Sequence, residues 1–174
     1  RDFSGARIGY TPDLGFLPVQ RAVAEVCGSS LPLWEQCGFE VSQDIPDLRG
    51  AMDVFKVLRA SYYAQFGAEL LQQHRALMKV TVIENIEAGL QLSGHDITRA
   101  DAARTQLYLR MLEFFQHHDF LVLPSTQVLP FDVTQEWVTE IDGVKLESYL
   151  DWMAICCIIS LFGLPAVSLP CGRS

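Results

Sequence analysis

Basic residues are scarce in this 174-residue sequence: Lys and Arg total 13 against 21 Asp and Glu, for a net charge of −8. Only three are lysines (Lys56, Lys79 and Lys145), and no basic run exists. A nucleic-acid partner is therefore not expected, nor is binding to an anionic membrane surface. There is no P-loop, no G-x-G-x-x-G and no G-x-S-x-G elbow, so the local signals for phosphate, dinucleotide and α/β-hydrolase chemistry are missing. Four histidines occur (His74, His95, His117 and His118), none in H-E-x-x-H and none at ligand spacing from a cysteine. No metal and no cofactor are expected. The five cysteines (Cys27, Cys37, Cys156, Cys157 and Cys171) are odd in number and contain no C-x-x-C. They read as reduced, mostly buried thiols of a cytoplasmic protein rather than a disulfide framework.

What is present is apolar. The sequence is 49% hydrophobic and 20% charged, which excludes intrinsic disorder, and its length suffices for a sizeable core. Arg7-Ile8-Gly9-Tyr10 reads as a short strand closed by Thr11-Pro12-Asp13-Leu14-Gly15. A helix from Pro18 through Val19, Val23 and Val26 breaks at Gly28-Ser29-Ser30-Leu31-Pro32, because Pro32 lacks a donor and clashes one turn back. A second piece runs through Trp34 to Cys37, with Gly38 as its C-cap, and Phe39-Glu40-Val41 is a second strand. Gly28-Ser29-Ser30 could suggest a nucleophile, but inside an interrupted amphipathic helix it reads as the break itself.

Asp47 is placed to cap a helix whose stripe is Met52, Phe55, Leu58, Tyr62, Phe66 and Leu70. Helical signal resumes over 80–92 and stops at Ser93-Gly94. Asp96 or Thr98 caps a long helix over 98–117, with Ala100, Ala103, Leu107, Met111 and Phe114 on its core face and Tyr108, Leu112 and Phe115 widening it. His117 and His118 then close the C-terminus as favourable cations. Glu84 and Glu87, three apart, read as a solvated face rather than an acid–base pair.

Phe120-Leu121-Val122-Leu123-Pro124 reads as a strand buried on both faces, whose exit at Ser125-Thr126-Gln127 opens a long loop of the kind that carries binding groups. Ile141-Asp142-Gly143-Val144 is a turn with short strand character. Residues 152–171 hold no charge, long enough to span a bilayer, but Gly163-Leu164-Pro165 interrupts them and no basic flank brackets them. They read as a buried helix followed by a buried strand at Ala166–Pro170, not a membrane span. Strands alternating with helices imply an α/β architecture.

Six stretches, in order, resemble the C-terminal half of amidase signature enzymes. They are Gly5-Ala6-Arg7-Ile8-Gly9-Tyr10 with Pro12-Asp13-Leu14-Gly15, the helix from Ala100 to Tyr108, His118 through Thr126, Ile141 to Val144, Tyr149 to Met153, and Gly163 through Gly172. The last is the most specific. The resemblance covers essentially the whole chain and implies part of a mixed β-sheet covered by helices. It also implies hydrolysis of the carbon–nitrogen bond of a small amide by a serine nucleophile, supported by a second serine and a lysine acting as base. The Gly-Ser-rich signature carrying that triad is absent, so no catalytic residue is assigned.

Residues 1–174 are accordingly expected to be the C-terminal portion of a single amidase-type domain, truncated at both ends and inactive alone. By the resemblance this part covers the catalytic core and shapes the pocket, with Thr126, Trp152, Met153 and Cys156 as its substrate-binding residues. In the amidotransferase branch an aspartate recognises the substrate amine near the position of Met153. Here Asp151 stands two residues away, which argues against that branch, and the apolar wall suggests an aryl or alkyl amide. The alternative is a stand-alone, non-catalytic module binding a small molecule or a protein. Because its apolar strands need neighbours, the chain alone is expected to aggregate or to form a homo-oligomer.

Overall fold

The computed structural model describes residues 2–173. The chain divides into two compact units, one formed by the residues up to Arg49 together with those from Leu109, the other by Gly50–Tyr108. Arg1 and Ser174, which bound the expected truncation, lie outside the described residues.

The first unit is built on a three-stranded parallel sheet. Its strands are β1 (Arg7–Tyr10), β2 (Glu40–Gln43) and β3 (Phe120–Val122), in the order β2-β1-β3. Between β1 and β2 run α1 (Arg21–Ser29) and α2 (Leu31–Gln36), meeting at Ser30 with Pro32 in the first turn of α2. The break thus falls where the Gly-Ser-Ser-Leu-Pro stretch places it. Gly38, at φ 89°, ends α2 in the left-handed region that glycine tolerates. A Cβ on Gly9 of β1 would lie 2.5 Å from the Phe114 ring, so only glycine lets that aromatic close over the central strand. Arg7 joins Asp119 across the sheet end, Nε to Oδ2 at 3.2 Å.

The second unit contains α3 (Ala51–His74), α4 (Val80–Leu90) and the first part of α5 (Gly94–His117), which continues into the first unit. Helices α3 and α4 approach very closely. A Cβ on Gly89 would sit 2.0 Å from the Ala60 carbonyl oxygen, and one on Gly67 2.5 Å from Ile86 Cδ1. Ser93 and Asp96 cap α5 reciprocally: the Asp96 amide donates to Ser93 Oγ at 3.2 Å, and the Ser93 amide to Asp96 Oδ2 at 3.0 Å. A 3-10 turn (Arg75–Leu77) follows α3 in the second unit, and the first unit further holds the hairpin β4 (Glu140–Ile141) and β5 (Val144–Lys145), then a 3-10 turn (Asp151–Met153) leading into α6 (Ala154–Ser160). Asp142 and Gly143 turn the hairpin with φ of 46° and 86°, both positive as a type I′ turn requires.

Several expectations are corrected. Asp47 does not cap α3; Gly50 does, at φ 84°, while the Asp47 carboxylate accepts the Arg49 amide at 3.2 Å. The stripe 52–70 is not the buried face of α3. Tyr62, Phe66 and Leu70 are more than half exposed, and Ala51, Val54, Ala60, Gly67 and Leu71 are buried instead. Close approach to α4 selects the small residues and turns the large ones outward. Helix α5 starts at Gly94 rather than 98, with Ser93 as the capping partner. On its expected face Ala100, Leu107, Met111 and Phe114 are buried, whereas Tyr108 and Leu112 are exposed.

His118 lies beyond the end of α5 and is buried. Its ring stacks on Phe114 at 4.3 Å, and its Nε2 stands 3.0 Å from Ser42 Oγ. His117 is the last residue of α5, as expected. Strand β3 is not buried on both faces. It borders the sheet, Phe120 is exposed, and its ring packs edge-on against Phe3 and Phe39. Residues 166–169 form no strand: they pair with nothing, and Val167 and Leu169 are exposed. The thiols are not mostly buried either, since Cys37, Cys156 and Cys171 are exposed. Among the described residues no helix is long and apolar enough to cross a membrane.

Candidate functional site

The C-terminal ends of β1 and β3 lie side by side, because the two strands are parallel neighbours, and the loops that leave them converge. Loop ends at that edge are where α/β sheets gather ligands. After β1 the buried Thr11 turns the chain: its amide donates to the Val122 carbonyl at 3.1 Å, and its hydroxyl accepts the Leu14 amide at 2.9 Å. Leu14 and Gly15 take φ of 56° and 75°. The chain then reaches Pro18 and Gln20, where the loop after β3 meets it.

Gln127 organises that meeting and is fully buried. Its Nε2 donates to the Pro18 carbonyl at 2.8 Å and to the Asp151 carbonyl at 3.0 Å. Its Oε1 accepts the Ile155 amide at 2.9 Å, and its own carbonyl accepts the Gln20 amide at 2.8 Å. Gln20 answers through Oε1, which accepts the Leu129 amide at 2.6 Å. One amide side chain thus fixes the loop after β1, the loop after β3 and the start of α6. Ile155 N–H belongs to the first turn of α6, where helix donors lack intrahelical partners.

The four expected substrate-binding residues fall on this corner, unequally disposed. Thr126 is half-buried and donates its hydroxyl to the Val128 carbonyl at 3.2 Å, which holds the loop turn. Cys156 reaches back from α6 to the neighbouring Ser125, donating Sγ to its carbonyl at 2.8 Å. Desolvation pushes that thiol above its ordinary range, so Cys156 acts as a hydrogen-bond donor rather than a thiolate nucleophile. Trp152 packs on the core of Val128, Val138 and Ile141, and its ring meets Phe131 edge-on at 5.4 Å. Its Nε1 is buried with no hydrogen-bond partner among the described residues. Met153 is half-buried in the 3-10 turn. Asp151 is not turned toward a ligand by its carboxylate alone: Oδ2 accepts the Glu147 and Ser148 amides at 3.0 and 2.8 Å.

A separate open groove of about 440 Å³ is lined by Gln20, Arg21, Ala22, Glu25, Leu129 and Asp142. None of the four expected residues lines it. Its charges are already engaged: Asp142 accepts the Arg21 amide at 2.7 Å, and Arg21 Nε pairs with Glu25 at 2.6 Å. Among the described residues no group of three or more His, Cys, Asp or Glu side chains could hold a metal ion. Sequence reasoning missed Gln127 and Gln20, because a glutamine in a polar loop carries no periodicity that reports burial.

Comparison with known proteins agrees with this architecture. A family model described as Amidase matches residues 2–174. An acylamidase from Rhodococcus erythropolis is 24% identical over 174 residues, covering 98% of this chain and 36% of that protein. A crystal structure of an amidase superimposes with a TM-score of 0.81 at 22% identity, over 94% of this chain and 37% of the other. A bacterial aryl acylamidase of the amidase signature enzymes superimposes with a TM-score of 0.75 at 19% identity, over 92% and 36%. The chain therefore spans a little over a third of the length of these relatives.

Proposed function

The chain belongs to the amidase family, and from that membership we propose that it is the C-terminal portion of a single amidase-type domain. The complete domain hydrolyses the carbon–nitrogen bond of a small amide through a serine nucleophile located outside these residues. The observation that carries this reading is the family match across residues 2–174, in a segment that spans about 36% of a curated relative. A covalent acyl-serine intermediate then splits amide hydrolysis into two easier steps.

This portion supplies the wall of the substrate pocket. Gln127 fixes the loop of Thr126 against the start of α6, so that Thr126, Trp152, Met153 and Cys156 share one corner of the fold. Trp152, packed edge-on against Phe131, and Met153 offer apolar surface to the acyl or aryl part of the substrate. An acylamidase and an aryl acylamidase among the relatives support an apolar amide as the substrate class. The five free thiols suit a reducing, cytoplasmic setting. The exposed Tyr62, Phe66, Leu70 and Leu77 suit a chain that is covered by further protein or by a second copy.

The test is hydrolysis of a panel of aliphatic and aryl acyl amides by the natural protein that carries this chain, alongside residues 1–174 alone. The expected result is turnover by the natural protein and none by the isolated residues. Absence of turnover across the panel, together with failure to hydrolyse simple short-chain amides, would overturn the reading.

A further inference from the structure

Two thiols far apart in sequence meet in the first unit. Cys27 lies near the end of α1 and Cys171 in the segment 163–173, which has neither helix nor strand, yet their Sγ atoms stand 3.8 Å apart. A second contact holds the same segment to the same helix turn. A Cβ added to Gly172 would lie 2.9 Å from Val26 Cγ1, so its backbone passes directly over α1. Of the remaining thiols Cys37 is exposed, and the other two are engaged or badly placed. Cys156 donates to the Ser125 carbonyl, and Cys157 is its neighbour on a helix, turned about 100° away.

We propose that Cys27 and Cys171 form a reversible disulfide when the protein meets a low-molecular-weight disulfide such as oxidised glutathione, a redox modification site that ties residues 163–173 to α1. Sulfur atoms in contact at 3.8 Å must close to about 2.05 Å, a movement that a segment without helix or strand can supply from its own side. Of the pair, Cys171 is the exposed thiol and meets the oxidant first. Its thiolate attacks one sulfur of the small disulfide, whose S–S bond breaks and releases one small thiol. Cys27 then attacks Sγ of Cys171 in the mixed disulfide. The second small thiol leaves, and the Cys27–Cys171 bond forms. Two protein thiols are oxidised, one small disulfide is reduced to two thiols, and the two protons leave with them.

The order of attack has a physical basis. Burial, and then the contact with Cys171, pushes the Cys27 thiol up to about 11, so Cys27 does not lead. Its role is the closing attack, for which proximity substitutes for acidity.

The natural protein carrying this chain is titrated with oxidised glutathione. Remaining thiols are alkylated under denaturing conditions, and every cysteine is assigned by tandem mass spectrometry. The expected result is a Cys27–Cys171 cross-link that forms before any other disulfide and is reversed by dithiothreitol. In Cys27→Ser, glutathione should stay on Cys171 as a stable adduct, and in Cys171→Ser the cross-link should vanish. Both changes are close to isosteric, and the far-UV circular dichroism spectrum before oxidation reports whether each variant is folded. A wild-type protein that stops at the glutathione adduct of Cys171, or that first links another pair, would overturn the proposal.

Discussion

Gln127 Oε1 accepts the backbone amide of Ile155 at 2.9 Å, 28 residues further along the chain. The same side chain donates to the carbonyls of Pro18 and Asp151, so both of its donors and one acceptor site are used inside the fold. Gln127→Leu removes all three bonds and leaves the buried Ile155 amide without its partner. The expected loss is about 3 kcal/mol of unfolding free energy, measured by denaturant titration of the natural protein. A loss within experimental error would mean that the three loops hold together without it.

Two glycines, one in the contact between α3 and α4 and one at the start of α5, give opposite predictions. Gly89→Ala places a methyl 2.0 Å from the Ala60 carbonyl oxygen, a backbone atom that cannot rotate away. A destabilisation of about 3 kcal/mol follows from the forced separation of the helices. Gly94→Ala, at the start of α5, meets nothing within 4 Å and should instead stabilise by about 0.5 kcal/mol. Thermal unfolding of both variants checks the contrast.

Acid stability depends on exposed carboxylates that accept hydrogen bonds. Hydrogen bonds from the Arg7 side chain, then from its amide, hold the Asp119 carboxyl below its ordinary range, and Ser93 does the same for Asp96. A folded-state value depressed below the unfolded one contributes stability that is present above about pH 3.9 and is lost as the pH falls through the folded value. Asp119→Asn should therefore flatten the acid limb of the stability profile below about pH 4 while leaving the slope near pH 8 unchanged. An acid limb identical to wild type would show that the pair with Arg7 is energetically silent.

How much of this was legible in the sequence varies with the kind of signal. Strand β1, the α1–α2 break at Pro32 and the Asp142–Gly143 turn follow from local chemistry that tertiary contacts do not override. The face of α3 was misread because periodicity assigns the large residues to the core. There the contact with α4 is so close that Ala60 and Gly67 had to occupy it. Residues 166–169 have the composition of a strand, but composition cannot provide the neighbour that a strand requires. Thr126 and Cys156 are proposed through the family resemblance, and Gln127, which fixes their loop against α6, left no trace in composition or spacing.

The proposed pocket wall gives a kinetic prediction. On that proposal Met153→Ala removes apolar contact that substrate and transition state share equally. In the natural protein it should raise KM for an aryl amide by about fivefold with kcat little changed. Trp152→Phe keeps an aromatic ring against Phe131 and should raise KM less than Trp152→Ala does. No change in KM with either variant would remove Trp152 from the site.

The most direct measurement is labelling of the natural protein with a serine-directed fluorophosphonate, followed by mapping of the modified residue. The account predicts stoichiometric modification of one serine outside residues 1–174, with loss of amide hydrolysis in step. A label on a serine within these residues, or no label on a protein that still hydrolyses amides, would contradict it.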